Sequence, residues 1–178
     1  MEHFYHKIQG WFNYSDIVDY VVDLLPDGGH MVEIGVWKGA SSAYTGVAII
    51  NSGKNIKFDA IDTWLGSPEL ADYEEIKNGN LYEVFLENIK PVAHVVNPVR
   101  LPSIEAAALY ADNSLDYVFI DGEHSYEAVY ADINAWKPKL KSPGILAGHD
   151  IDHPPVRRAV EELIPNYRVW GASWCVLT

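Results

Sequence analysis

Short apolar runs that close on glycine or an acidic residue recur along the chain, and each leads into a stretch whose apolar positions are spaced as on a helix face. Met31 to Ile34 is the first, closing on Gly35, and the helical stretch after it carries Tyr44, Val47, Ala48 and Ile50. Ile56 to Trp64, apolar into Asp62, predicts a second strand; His94 to Val99 a third, Leu115 to Gly122 a fourth and Ile145 to Gly148 a fifth. Between them the spacing predicts helices over Leu81 to Ile89, Ile104 to Tyr110, Tyr126 to Trp136 and from Pro154-Pro155 to Leu163. Ser142-Pro143-Gly144 reads as the break before strand five. A leading helix carries Ile17, Val21, Leu24 and Leu25, with Ser15-Asp16 as its N-cap and Pro26-Asp27-Gly28-Gly29 as its stop. Tyr167 to Ala172 and Ser173 to Leu177 form a closing antiparallel pair. Alternating strands and helices imply a mostly parallel sheet covered on both faces, with ligands outside the carboxyl ends of its strands.

Met31 to Ser42 is the stretch around which the rest is organised. Gly35 lets the backbone turn sharply after the strand, Gly39 lets strand and helix pack closely, and Ser41 opens the helix. The result is a helix N-terminus with amides facing the sheet edge, suited to nucleotide-like or carboxylate-bearing ligands. The glycines are spaced G-x-x-x-G rather than the G-x-G-x-x-G of a dinucleotide site. Asp62, closing the second strand, is placed to accept both hydroxyls of a ribose, or to cap the turn that follows; Thr63 and Trp64 lie beside the same ligand. Ser103 is a helix N-cap or a contact for an adenine edge. Leu65 to Asn80 is a long acidic connection, interrupted by Gly66, Pro68, Gly79 and Asn80, of the kind that forms lids and binding loops. The aromatic stretch Met1 to Tyr14 either covers a sheet edge or, through Trp11, lines a substrate mouth.

At 178 residues and 48% hydrophobic, the chain suits one domain, with residues 1–29 as an N-terminal cap segment and helix and residues 30–178 as the core. A formal charge of -12 opposes contact with phosphate backbones or anionic lipid, so the expected partner is a small molecule rather than nucleic acid or a membrane. One cysteine, Cys175, excludes an internal disulfide framework, and nothing reads as a signal peptide or a membrane span, so a cytoplasmic protein is expected. The small size leaves an acceptor either exposed or covered by a second copy, which keeps a homo-oligomer open.

Four segments together resemble the class I S-adenosylmethionine-dependent methyltransferase branch that includes catechol and macrolide-sugar O-methyltransferases (methyltransferase family 24-like). They are Val32 to Ser41 around the glycine turn, Phe58 to Trp64, Leu115 to Tyr126 with its I-D-G-x-H-x-Y run, and Gly144 to Asp150 ending in G-H-D. The resemblance implies a Rossmann-like α/β sandwich with a mostly parallel seven-stranded sheet and a C-terminal antiparallel pair. It implies S-adenosylmethionine as cofactor, with Glu33, Gly35, Val36, Trp37 and Ser41 around its methionine part, Asp62 on the ribose and Ser103 on the adenine, within a cofactor-binding set that also takes in Gly39, Thr63, Trp64 and Asp121. It also implies O-methylation of a small hydroxylated acceptor, a sugar or a phenol. Asp121 and Asp150, closing strands four and five, would hold a divalent ion such as Mg2+, and His124 would act as general base with Asp121 beside it. Hard oxygen ligands suit magnesium, and a cation there lowers the acceptor hydroxyl's pKa. In the catechol enzymes an asparagine ligand follows the second aspartate; here Ile151 follows Asp150, which leaves His149, Asp152, His153 or water as the third ligand.

Other readings of these residues stay open. His124 could cap or pack beside its helix, and His149 could bond to buried backbone. Without metal, Asp121 and Asp150 could orient the cofactor ammonium and the acceptor. The Asp121, His124, His149, Asp150, His153 cluster could serve a metal-dependent hydrolase or an oxygenase resembling cephalosporin hydroxylases, and a non-catalytic methyltransferase-like binding subunit is a third alternative. His3, His6, His30 and His94 have no ligand spacing.

Overall fold

Side-chain alternation along the strands divides the core into two halves, one on each face of a seven-stranded sheet. The computed structural model describes residues 1–67 and 70–178, so Pro68, expected to interrupt the long connection, lies outside the described residues. The strands are β1 (His30–Ile34), β2 (Lys57–Asp62), β3 (Val96–Arg100), β4 (Leu115–Ile120), β5 (Leu140–Gly148), β6 (Arg168–Trp170) and β7 (Ser173–Leu177). Their order is β3-β2-β1-β4-β5-β7-β6. β1 is parallel to β2 and β4, β2 to β3, and β4 to β5, whereas β5 with β7 and β7 with β6 are antiparallel.

The helices are α1 (Ser15–Leu24), α2 (Ala40–Ser52), α3 (Glu74–Lys77), α4 (Leu81–Asn88), α5 (Ser103–Ala107), α6 (Tyr126–Trp136) and α7 (Pro154–Leu163). Met31, Phe58, Ala60, Tyr117, Phe119 and Ala147 face α1, α2 and α4, whose Val18, Val21, Val47 and Phe85 pack with them. Val32, Ile34, Ile61, Val118, Ile120 and Leu146 face the other way, against Ala106 of α5, Ile133 and Trp136 of α6, and Val156 and Val160 of α7. Glu33 shares the face of Met31 by parity, which buries its carboxylate beneath α2. α2 is buried along nearly its whole length because Ala40, Ser41, Ser42, Ala43 and Gly46 present so little bulk. Pro98 sits in β3, the sheet edge, where one side of the strand has no ladder to lose.

Three boundaries differ from the expected ones. β5 begins at Leu140, paired with Leu115, and absorbs Ser142-Pro143-Gly144 as a bulge before the register resumes at Tyr117 and Ile145, so the expected break lies inside the strand. At α1 the cap position is Tyr14, with no side-chain cap bond, while Asp16 accepts from the Ile17 amide at 3.1 Å. At α5 the cap position is Pro102, which leaves Ser103 inside the helix with its side chain committed elsewhere.

Candidate functional site

The carboxyl ends of β1, β2, β4 and β5 converge on the glycine turn. The Gly35 amide donates to Ile61 of β2 at 2.8 Å, and Asp121, just past β4, donates its amide to Ile34 of β1 at 2.8 Å. Gly35 has φ +84, and a Cβ there would lie 2.1 Å from the Asp121 carbonyl oxygen, so only glycine lets the turn rest against the end of β4. Gly39, φ +87, has a different neighbour from the expected strand: a Cβ would meet Ile89 and Phe85, both at 2.9 Å, so it is α4 that approaches.

Asp62 laces β2 to this turn. Its Oδ2 accepts from the amides of Val36 at 3.0 Å and Trp37 at 2.9 Å, and its Oδ1 from the amide of Trp64 at 2.8 Å. The carboxylate therefore caps the following turn and gathers the glycine-turn amides at once. Trp64 contributes its backbone to the turn; its ring is buried between Tyr82 and Phe85, with Nε1 donating to the Trp37 carbonyl at 2.9 Å, so it is core rather than the expected ligand wall. Thr63 accepts the Leu65 amide at 3.2 Å. Trp37 (φ 44), Trp64 (φ 50) and Asp150 (φ 57) all hold left-handed backbone, which costs an L-residue about 1 kcal/mol or more and gathers here around one edge.

Ser103 is elsewhere. Its hydroxyl donates to Asp132 Oδ1 and accepts from Trp136 Nε1 at 2.8 Å, so the expected adenine contact is turned inward between α5 and α6. Burial pushes the Asp132 carboxyl up to about 6, against the opposing pull of that hydroxyl.

The acid and imidazole groups form a second half-site beside the turn. His124 Nε2 and His149 Nδ1 both lie 3.1 Å from Asp150 Oδ2, and His149 Nδ1 is 3.9 Å from Asp121 Oδ1. His153 Nε2 is 3.9 Å from Asp150 Oδ1. The two imidazoles hold the Asp150 carboxyl far below the usual range in spite of its partial burial. His149, paired with side chains rather than backbone, is raised in turn by Asp150 and Asp121 although burial opposes it. Asp121 goes the other way, pushed up to about 6 by burial, with the Asp150 charge adding to the effect. Glu33 is pushed up to about 7, again by burial, while hydrogen bonds from Ser41, Tyr14 and Ser42 pull against it.

One ligand atom each from Asp121, His124 and Asp150 lies within 4.8 Å of the others, so these three can close on a single cation. The two carboxylate oxygens suit a divalent ion of the magnesium or manganese kind, and an imidazole donor would favour a softer ion such as iron or zinc.

A family model described as a methyltransferase domain matches residues 32–151, spanning the glycine turn, Asp62, Asp121 and Asp150. The chain belongs to that methyltransferase family. An uncharacterized protein of Sinorhizobium fredii, y4gI, is 25% identical over 150 residues, covering 84% of this methyltransferase but only 16% of its own length. The chain therefore spans about one sixth of that curated relative. Among solved structures, the O-methyltransferase NovP superposes with a TM-score of 0.71 at 16% identity, over 92% of this chain and 78% of its own. CalS11, a TDP-rhamnose 3'-O-methyltransferase of calicheamicin biosynthesis, does so with 0.63 at 17% identity, over 92% and 76%. At these identities the likeness is one of fold, and it includes the seven-stranded sheet with its antiparallel C-terminal pair.

Features without a periodic signal complete the methyltransferase site. Lys38, on the turn, is 3% exposed, and its ammonium donates to Gln9 Oε1 at 2.7 Å and Glu75 Oε1 at 2.6 Å. Trp11 stacks on Trp37 at 4.9 Å, with Tyr73 edge-on to Trp37 at 5.1 Å. Asn13 reaches His149 Nε2 at 2.8 Å. Residues 9–14 thus run across the site's mouth, and of the two readings of that stretch the structure has it against the glycine turn. Among the described residues, no helix is long and apolar enough to cross a membrane.

Proposed function

We propose that this chain transfers a methyl group from S-adenosylmethionine to a hydroxyl of a small acceptor, a sugar or a phenol, with a divalent cation beside the acceptor. The observation that carries the reading is the contact between two half-sites, the Gly35 turn resting on the backbone of Asp121, the residue that begins the acid and imidazole cluster. Glu33, Gly35, Val36, Trp37 and Ser41 line the methionine side, where Glu33 would meet the cofactor's ammonium. Asp62 Oδ2 is filled by the Val36 and Trp37 amides, while Oδ1 binds the Trp64 amide alone and keeps one acceptor position, enough for one ribose hydroxyl.

Asp121 and Asp150 would hold the cation, which when bound supplies positive charge that lowers the acceptor hydroxyl's pKa. His124 takes the hydroxyl proton as the oxygen attacks the methyl and the sulfur–carbon bond breaks. Asp150, 3.1 Å from His124 Nε2, orients the imidazole and stabilises its charged form. NovP and CalS11 support the acceptor class as fold neighbours that methylate oxygen, CalS11 on a nucleotide-linked sugar.

Calorimetric titration with S-adenosylhomocysteine, with and without magnesium, tests this reading. Micromolar binding by the wild type, lost in Asp62→Ala and retained in His124→Ala, is the expected result. Absence of binding in the wild type refutes it, and iron held at stoichiometry in that case would replace it with the oxygenase alternative.

A further inference from the structure

Tyr14 immediately precedes α1, and its ring is 4% exposed, tilted against Phe119 at 4.6 Å and His149 at 5.1 Å with Phe12 edge-on at 4.7 Å. Those contacts fix where the hydroxyl points. It lies 3.0 Å from Glu33 Oε1 and 3.0 Å from Asp121 Oδ2. Glu33 belongs to the cofactor half of the site and Asp121 to the cation half, so this one hydroxyl spans the boundary between them. Asn13, the residue before it, holds His149, which anchors the same stretch of backbone on the cluster.

A phenol has one proton, so Tyr14 can donate to only one of the two carboxylates at a time. A positively charged group arriving at either carboxylate satisfies that one and turns the hydroxyl toward the other. Resting on the function proposed above, we propose that Tyr14 is a positioning residue through which occupancy of the cofactor half and occupancy of the cation half oppose each other, because the hydroxyl that the first releases must be displaced again by the second. The ring packs and the hydroxyl couples, which makes Tyr14→Phe the natural probe.

The experiment is calorimetry with S-adenosylhomocysteine, in the presence and absence of manganese(II), on wild type, Tyr14→Phe, Glu33→Gln and the double variant, with the unfolding midpoint of each. Manganese is expected to weaken wild-type binding of S-adenosylhomocysteine by about tenfold, the scale of one hydrogen bond to a charged group. Tyr14→Phe should erase that factor while the chain stays folded, and in the Glu33→Gln background it should change nothing further. A merely structural Tyr14 would shift the midpoint and leave the manganese factor intact, which overturns the proposal. If Tyr14→Phe does not fold, Glu33→Gln alone carries the test, because an uncharged amide leaves the hydroxyl committed to the Asp121 carboxylate whether or not the cofactor half is filled, and should erase the same factor. A wild type whose binding of S-adenosylhomocysteine is unchanged or tightened by manganese overturns the proposal alone; one that does not bind S-adenosylhomocysteine overturns the functional reading as well.

Discussion

Replacing Gly35 by alanine tests the joint on which the site is built. The new Cβ would sit 2.1 Å from the Asp121 carbonyl oxygen, 2.5 Å from its carbon and 2.6 Å from the Gly122 Cα. The nearest of these is more than an ångström short of the 3.4 Å where ordinary contact begins, and all three atoms are backbone, so no side chain can swing aside. Relief requires β1 and β4 to part, which breaks the 2.8 Å bond from the Asp121 amide to the Ile34 carbonyl. Unmaking a buried bond of that kind costs about 1–3 kcal/mol, and left-handed backbone costs an L-residue about 1–2 kcal/mol more. Gly53→Ala is the control: φ +69 at the end of α2, with nothing within 4 Å, so only the backbone cost remains. Urea unfolding followed by tryptophan fluorescence should place Gly35→Ala below Gly53→Ala by roughly 1–3 kcal/mol, with binding of S-adenosylhomocysteine lost. Equal destabilisation of the two variants would refute the argument, since it would mean that the contact with Asp121 carries no energy.

Three other outcomes follow from single observations. Burial raises Glu33 to about 7, so its native state favours the protonated form; that contribution is complete below the unfolded carboxylate range and lost as pH rises through about 7. Glu33→Gln should therefore lose less stability than wild type between pH 5 and pH 8, and parallel urea midpoints at the two pH values would contradict this. Glu75→Ala leaves the buried Lys38 ammonium with Gln9 and the Trp37 and Tyr73 rings but no counter-charge, whereas Lys38→Met leaves a Glu75 that water can reach, so Glu75→Ala should be the more destabilising, by about 1 kcal/mol or more in thermal unfolding. Ser103→Ala leaves both Asp132 and the Trp136 indole without their partner and should cost about 1–3 kcal/mol. A matching fall in affinity for S-adenosylhomocysteine would return that hydroxyl to the adenine edge.

The alternation of runs that marks strands and helices is a local property, and it carried the element order, the parallel sheet and the antiparallel C-terminal pair. Gly35, Asp62, Asp121 and Asp150 were legible for the same reason, because each ends a strand and strand ends in such a sheet share an edge. Lys38, Tyr14 and Asn13 were not. Tyr14 meets Asp121 across 107 positions and Asn13 meets His149 across 136, and no spacing in the sequence encodes a contact made by a segment that has no period of its own. Ser103 and Trp64 show a second cause: both follow a strand end as the alternation implies, but the Ser103 hydroxyl is held by Asp132 and Trp136 and the Trp64 ring by Tyr82 and Phe85, contacts that local spacing does not encode. β5 shows a third cause, since Pro143-Gly144 marks a turn in most settings and here fits a bulge, where the ladder needs no amide from proline.

The way the three carboxylates differ explains how an acidic chain keeps an acidic edge. Asp150 faces two imidazoles at 3.1 Å and is held ionised; Glu33, among Tyr14 and serine hydroxyls, and Asp121, with His149 only at 3.9 Å, are pushed up by burial. An edge of this kind is short of positive charge on its Glu33 and Asp121 side, which suits it to cationic ligands rather than to phosphates. Residues 9–14 lie directly over that side, fastened through Gln9 to Lys38, through Trp11 to Trp37 and through Tyr14 to both carboxylates. The cover and the charge deficit are thus parts of one arrangement. Tyr14, buried beside both carboxylates, adds its ring to the burial that keeps Glu33 and Asp121 raised, and the same low polarity strengthens their attraction for whatever cation replaces the Tyr14 hydroxyl.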